Sequence, residues 1–166
     1  MYRMLRIFCA TSWELEGERL AFYDVIGQFN EAEGLKAGVL YVPVSLTNAP
    51  DKRPYQYTIN ENIQACRHYI VALDEDWGPK ERNFERDYRL ALECAANTAL
   101  PMKQTAILVR TLPDGARSPF TAALADAGFQ AIDFTGTDDF KRIVLGLLGE
   151  WFPADASEES TSGASA

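Results

Sequence analysis

At 166 residues and 47% apolar side chains, the chain is one domain with enough apolar surface for a full core. A net charge of -8, with 16 Lys and Arg scattered among 24 acids, repels phosphate backbones and argues against general nucleic-acid binding. No apolar run reaches the roughly 18 residues of a membrane span, and the N-terminal stretch lacks the apolar core and cleavage site of a signal peptide.

Met4 to Ala10 reads as a buried strand. Thr11 and Glu14 have capping-box spacing for a helix to about Ala32, whose apolar residues Leu15, Ala21/Phe22, Val25/Ile26 and Phe29 return with a helical period. Glu33 to Gly38 reads as a turn. Val39 to Leu46 is β-rich, with Pro43 marking a sheet edge or a strand end. Thr47 to Gln56 is a polar loop holding Pro50 and Pro54, and Thr58 with Glu61 forms a second capping-box pair before Ile59, Ile63 and Cys66.

His68 to Leu73 is a continuous apolar strand, the mark of burial on both faces. An acidic Trp-Gly turn, Asp74 to Gly78, follows it. Asn83 then caps a helix with Phe84, Tyr88, Ala91/Leu92 and Ala95 on one face. Thr105 to Val109 is a further central strand. Ser118-Pro119 opens a helix that ends at Ala127-Gly128, Phe129 to Phe134 is a fifth strand, and Thr137 to Phe152 is the last helix. Residues 1–152 form the domain. Pro153 to Ala166 is small, polar and acidic and reads as a disordered tail.

Alternating strands and helices predict a parallel sheet with helices on both faces. Five such units predict a flavodoxin-like α/β fold, a three-layer sandwich of strand order 2-1-3-4-5. Ligands of such sheets bind at the carboxyl ends of the strands, where the order reverses between strands 1 and 3. The loops beginning at Thr11 and Asp74 then flank one crevice.

Several residues at that crevice carry candidate chemistry. Glu85, in a first helical turn, stays ionised beside the helix dipole and can act as nucleophile or stabilise an oxocarbenium-like sugar; equally, it is an ordinary first-turn acid. Asp74, Glu75 and Asp76 can contact ribose hydroxyls or a base edge, or supply a general acid, or simply solvate a loop. Thr11 and Ser12 sit where backbone donors hold an anion, or serve as caps, and no glycine-rich phosphate loop accompanies them. Trp13 and Trp77 can stack on a planar ring or plug the core, and Gly78 shapes the turn between them and the helix. No metal site is expected. One histidine, His68, and the widely spaced Cys9, Cys66 and Cys94 offer no zinc spacing, and the thiols read as buried and reduced, as in a cytoplasmic protein.

Two resemblances meet at these residues. Ile7-Phe-Cys-Ala-Thr-Ser-Trp13, followed by Glu18-Arg19, resembles the opening of a bacterial domain of unknown function that begins VFISST…AER and heads many signalling and defence proteins. That domain is itself similar to the Toll/interleukin receptor (TIR) fold, with a strand, a Trp/Tyr-Gly turn and a Glu-bearing helix, matched here by Tyr69 to Leu73, Trp77-Gly78 and Phe84 to Ala91. Phe84-Glu-Arg-Asp-Tyr-Arg-Leu-Ala91 is also similar to the helix start of nucleoside 2-deoxyribosyltransferases. Their nucleophilic glutamate falls on Glu85, and TIR-domain NAD hydrolases carry a catalytic glutamate on the corresponding helix. The chain departs from the transferase pattern at Phe8, where a tyrosine is usual, and at Ala10-Thr11-Ser12 and Asp87, where glycines are usual.

These resemblances imply two readings. In one the chain is an enzyme acting on the N-glycosidic bond of a nucleoside, a nucleotide or NAD, with NAD as substrate and no resident cofactor. Glu85 would be its nucleophile, aided by Asp74 or Asp76, while Thr11, Ser12, Trp13, Trp77 and Gly78 bind the ligand. In the other it is a non-catalytic TIR-like sensor or interaction module of bacterial signalling or defence, self-associating as a homo-oligomer. The departures leave both open.

Overall fold

The computed structural model describes residues 1–46, 56–80 and 82–158. Residues 47–55 of the expected loop and the last eight residues of the expected tail fall outside the described residues.

The chain opens with β1 (Arg3–Thr11), a 3-10 turn (Trp13–Leu15) and α1 (Glu16–Phe29). A wide π turn (Asn30–Gly34) and a short α2 (Leu35–Ala37) lead into β2 (Val39–Val44). Then come α3 (Gln56–Ala65), β3 (His68–Leu73), α4 (Phe84–Ala96), β4 (Gln104–Arg110), α5 (Pro119–Asp126), β5 (Ala131–Phe134) and α6 (Thr137–Ser157). All four strand pairings are parallel and the order is β2-β1-β3-β4-β5, the flavodoxin-like arrangement.

Alternation along each strand divides the core in two. Ile7, Cys9, Ile70, Ala72 and Leu108 face α1 and α6, whereas Phe8, Ala10, Tyr69, Val71, Ile107 and Val109 face α3, α4 and α5. Every residue of β3 is buried, as its unbroken apolar run requires. Pro43 lies on β2, an edge strand, where its missing N–H leaves no gap inside the sheet.

Four local expectations are corrected. Ser12, not Thr11, precedes the first helical turn, and its side chain makes no capping bond. The chain stays helical through Glu33 and Gly34, because the Asn30 side chain binds both Tyr41 N and Tyr41 O at 2.9 Å and draws the turn onto the edge strand. Gly38, in the left-handed region at φ 71°, makes the actual break. α3 begins at Gln56, before Thr58, whose carbonyl accepts from the Asn62 amide at 2.8 Å. Finally, α6 runs past Pro153 to Ser157, so residues 153–157 are not tail.

The reason for that extension is Asp155. Its carboxylate is fully buried at the amino end of the sheet. It accepts from Arg67 Nε at 2.6 Å and from the Tyr41 hydroxyl, and shares a 2.6 Å bond with His68 Nε2. Burial alone would raise the Asp155 pKa, but the bonds from His68 and Tyr41 outweigh it and hold the carboxyl below its ordinary value. Arg67 also reaches Glu158 at 2.9 Å. This polar knot lies at the opposite end of the strands from the crevice.

Candidate functional site

At the carboxyl end of β1 a cavity of about 290 Å³ opens at the expected switch point. Its floor is Phe8 to Ala10. Thr11, Ser12 and Trp13 line it with Glu16 and Arg19 of α1, together with Arg82 and Phe84 from the approach to α4 and Ser45 and Leu46 beyond β2. The β1–α1 loop and the approach to α4 leave the sheet toward opposite faces, so their divergence creates the space.

Geometry in the approach to α4 is set by short turns. The Asp76 carboxylate accepts from Gly78 N at 2.7 Å. Gly78 has φ 80°, and a Cβ there would meet the Phe84 ring at 2.9 Å, so the turn requires glycine on both counts. Arg82 N and Asn83 N both bond the Pro79 carbonyl. Asn83, itself left-handed, caps α4 through a bond from Arg86 N.

Arg82 is buried with its guanidinium 4.5 Å from the centre of the Phe84 ring. Its Nη1 donates to the fully buried Asp87. Its Nε and the Ser12 hydroxyl, also buried, find no hydrogen-bond partner among the described residues. The Tyr69 hydroxyl is likewise buried and unpartnered; burial, then the nearby Asp87 carboxylate, push its pKa up. At the mouth, Glu16 accepts from Arg19 Nε and Nη2 at 2.8 and 2.6 Å, which lowers the Glu16 pKa. Cys9 borders the cavity, but burial raises its thiol well out of the reactive range.

The structure thus brings Thr11, Ser12 and Trp13 together and disperses the other expected site residues. Glu85 lies in a separate surface hollow with Asn60, Asn83, Arg86 and Arg89, and pairs with Arg89 at 3.0 Å. Asp74 makes a two-point ion pair with Arg110, both contacts 2.9 Å, in a third hollow beside Glu75, Thr111 and Thr135. Asp76 is spent on its own turn. Trp77 packs among Tyr88, Phe120 and Phe129 at ring-centre distances of 6.2, 5.8 and 6.0 Å, the core-plug alternative.

Arg82, Asp87 and Arg19 went unread as site residues. Asp87 did leave a signal: it stands three residues after Phe84, on the inward stripe of α4, where a charge demands a buried partner. No group of three or more potential ligands among the described residues can hold a metal ion, and no described helix is long and apolar enough to cross a membrane. Comparisons with protein-family models, characterised proteins and solved structures returned no match to this chain.

Proposed function

We propose that this chain is a TIR-like sensor or interaction module that binds a nucleoside or nucleotide in the cavity between Ser12 and Arg82. The observation that carries the reading is that two residues lining one cavity, Ser12 and Arg82, hold buried donors without a partner among the described residues, with half-exposed Trp13 in the same lining to stack on a base. Glu85 supports the module rather than the enzyme, since its carboxylate is engaged by Arg89 outside that cavity. Self-association is the output such a module would deliver. The reduced, buried Cys9, Cys66 and Cys94 suit a cytoplasmic setting.

One feature favours the hydrolytic alternative. Glu16 is a carboxylate that does line the cavity, held ionised by Arg19, and such a group can stabilise an oxocarbenium-like sugar. The test is to incubate the protein with NAD, 2′-deoxynucleosides and nucleoside monophosphates, following bound ligand by calorimetry and free base by chromatography. The module reading expects saturable binding without base release. Release that vanishes in Glu16→Gln would establish the enzyme with a different acid from the expected one; release that vanishes in Glu85→Gln would restore the original assignment.

A further inference from the structure

We infer that Ser12 and Arg82 form an oxyanion subsite, so that the ligand of this cavity carries a phosphate: a mononucleotide in preference to a nucleoside. This rests on the reading above that the cavity takes a nucleoside or nucleotide, and it specifies which.

Buried polar groups in native structures are hydrogen-bonded, and an exception calls for a missing partner. Among the described residues four buried side-chain atoms lack one: Ser12 Oγ, His68 Nδ1, Tyr69 Oη and Arg82 Nε. Two of the four belong to residues that line a single cavity. Both are unusual in their own setting. Ser12 occupies a helix-capping position, where a serine hydroxyl ordinarily accepts a backbone N–H, yet it makes no such bond. Arg82 is tethered through Nη1 to Asp87 and its guanidinium lies against Phe84, which fixes the plane while leaving Nε unused.

The balance of donors and acceptors selects the ligand. Among the described residues, the lining holds the hydroxyls of Thr11, Ser12 and Ser45, the guanidinium groups of Arg19 and Arg82, and one carboxylate, Glu16, already bound by Arg19. Arg82 Nε can only donate, and a pure donor matches a group that only accepts. A phosphate meets that condition, and a sugar hydroxyl, which needs an acceptor of its own, meets it less well. Because Asp87 already neutralises Arg82, the selection comes from directed donors rather than from net charge. At about 290 Å³ the space is at the small end of ligand pockets and suits one nucleotide unit.

The test is calorimetric titration of the full chain with four nucleosides, their 5′-monophosphates and inorganic phosphate. The expected result is that a monophosphate binds at least about tenfold more tightly than its nucleoside, and that Ser12→Ala erases about tenfold of that advantage. Arg82→Gln should erase it too. Since that change leaves Asp87 without its cation, the double variant Arg82→Gln/Asp87→Asn carries the test if the single one does not fold. Phosphate alone binding, with the same sensitivity to Ser12→Ala, supports the subsite even if no nucleoside binds and the nucleotide reading falls. Nucleoside and monophosphate binding equally, unmoved by Ser12→Ala, overturns the subsite and leaves the cavity reading in place. No binding by any probe overturns both.

Discussion

Asp155, one turn beyond Trp151 on α6, shares a 2.6 Å hydrogen bond with His68, the first residue of the central strand. Trp151 covers the same imidazole at a ring distance of 4.6 Å. The end of α6 is therefore held to the sheet by a buried charge as well as by the apolar rings of Trp151 and Phe152. Arg67, 8% exposed at its side chain, depends on the same carboxylate.

Removing that carboxylate leaves Arg67 buried without its nearest counter-charge. Breaking one side of a buried pair typically costs about 3–5 kcal/mol. Asp155→Ala should lower the unfolding free energy from urea melts by that amount, and a chain ending at Phe152 should lose a similar amount, since it removes the same group. Combining Asp155→Ala with Arg67→Met should recover part of the loss; full additivity of the two changes would show that the pair is not coupled.

The same group sets an acid limit on stability. The folded-state pKa of Asp155 is depressed below its unfolded value, as is that of Glu158, whose main partner is Arg67. A depressed carboxyl contributes stability that is present above the unfolded pKa, about 3.9 for aspartate, and is lost as pH falls through the folded value. Urea midpoints measured from pH 7 to pH 3 should hold down to about pH 5 and then fall. The fall should be shallower in Asp155→Asn, which has no proton to take up there; identical slopes would remove Asp155 as the cause.

Two glycines on the path from α1 to β2 should respond oppositely to alanine. Gly27, near the end of α1, has nothing within 4 Å of an added Cβ, so Gly27→Ala should stabilise by about 0.5–1 kcal/mol through helix propensity. At Gly34 the added Cβ would lie 2.6 Å from the Val39 carbonyl and 3.2 Å from Asn30 Oδ1, the atom that binds Tyr41 N. Gly34→Ala should therefore cost about 1–3 kcal/mol. Thermal melts of the two variants moving in the same direction would contradict the packing of the π turn on β2.

The fold was legible because β1, β3 and β4 are apolar runs of strand length, and because Ser118-Pro119 and Ala127-Gly128 carry unambiguous cap chemistry. The position of the crevice followed from topology, and Thr11 to Trp13 do line it. What composition obscured were inward-facing charges. Pro153 to Ala166 averages to a solvated tail, yet Asp155 continues the stripe Phe140, Val144, Leu148, Trp151 at helical spacing and is buried like them. Glu18 does the same on α1, buried and accepting from the Thr137 hydroxyl at 3.2 Å. A charge on such a stripe points to a partner that only the folded chain supplies. For Glu85 the limit was rotational: each residue turns about 100° around a helix, so with Phe84 packed inward its neighbour is carried off that face.

That rotation gives two acids of α4, two residues apart, opposite consequences. Glu85 is 44% exposed at its side chain and pairs with Arg89, an exposed i, i+4 contact of the kind worth a few tenths of a kcal/mol at about the median. Glu85→Gln should shift stability by less than about 1 kcal/mol and leave ligand affinity unchanged. Asp87 is fully buried against Arg82, and Asp87→Asn should cost about 3–5 kcal/mol by leaving that guanidinium uncompensated. It should also loosen the Arg82 side chain beside the cavity, so nucleotide affinity should fall even at temperatures where the variant remains folded. Matched urea melts and calorimetric titrations decide this. An Asp87→Asn protein with undiminished affinity would mean that Arg82 is positioned by Phe84 alone, and a Glu85→Gln protein that loses the ligand would return the site to the far side of Asn83.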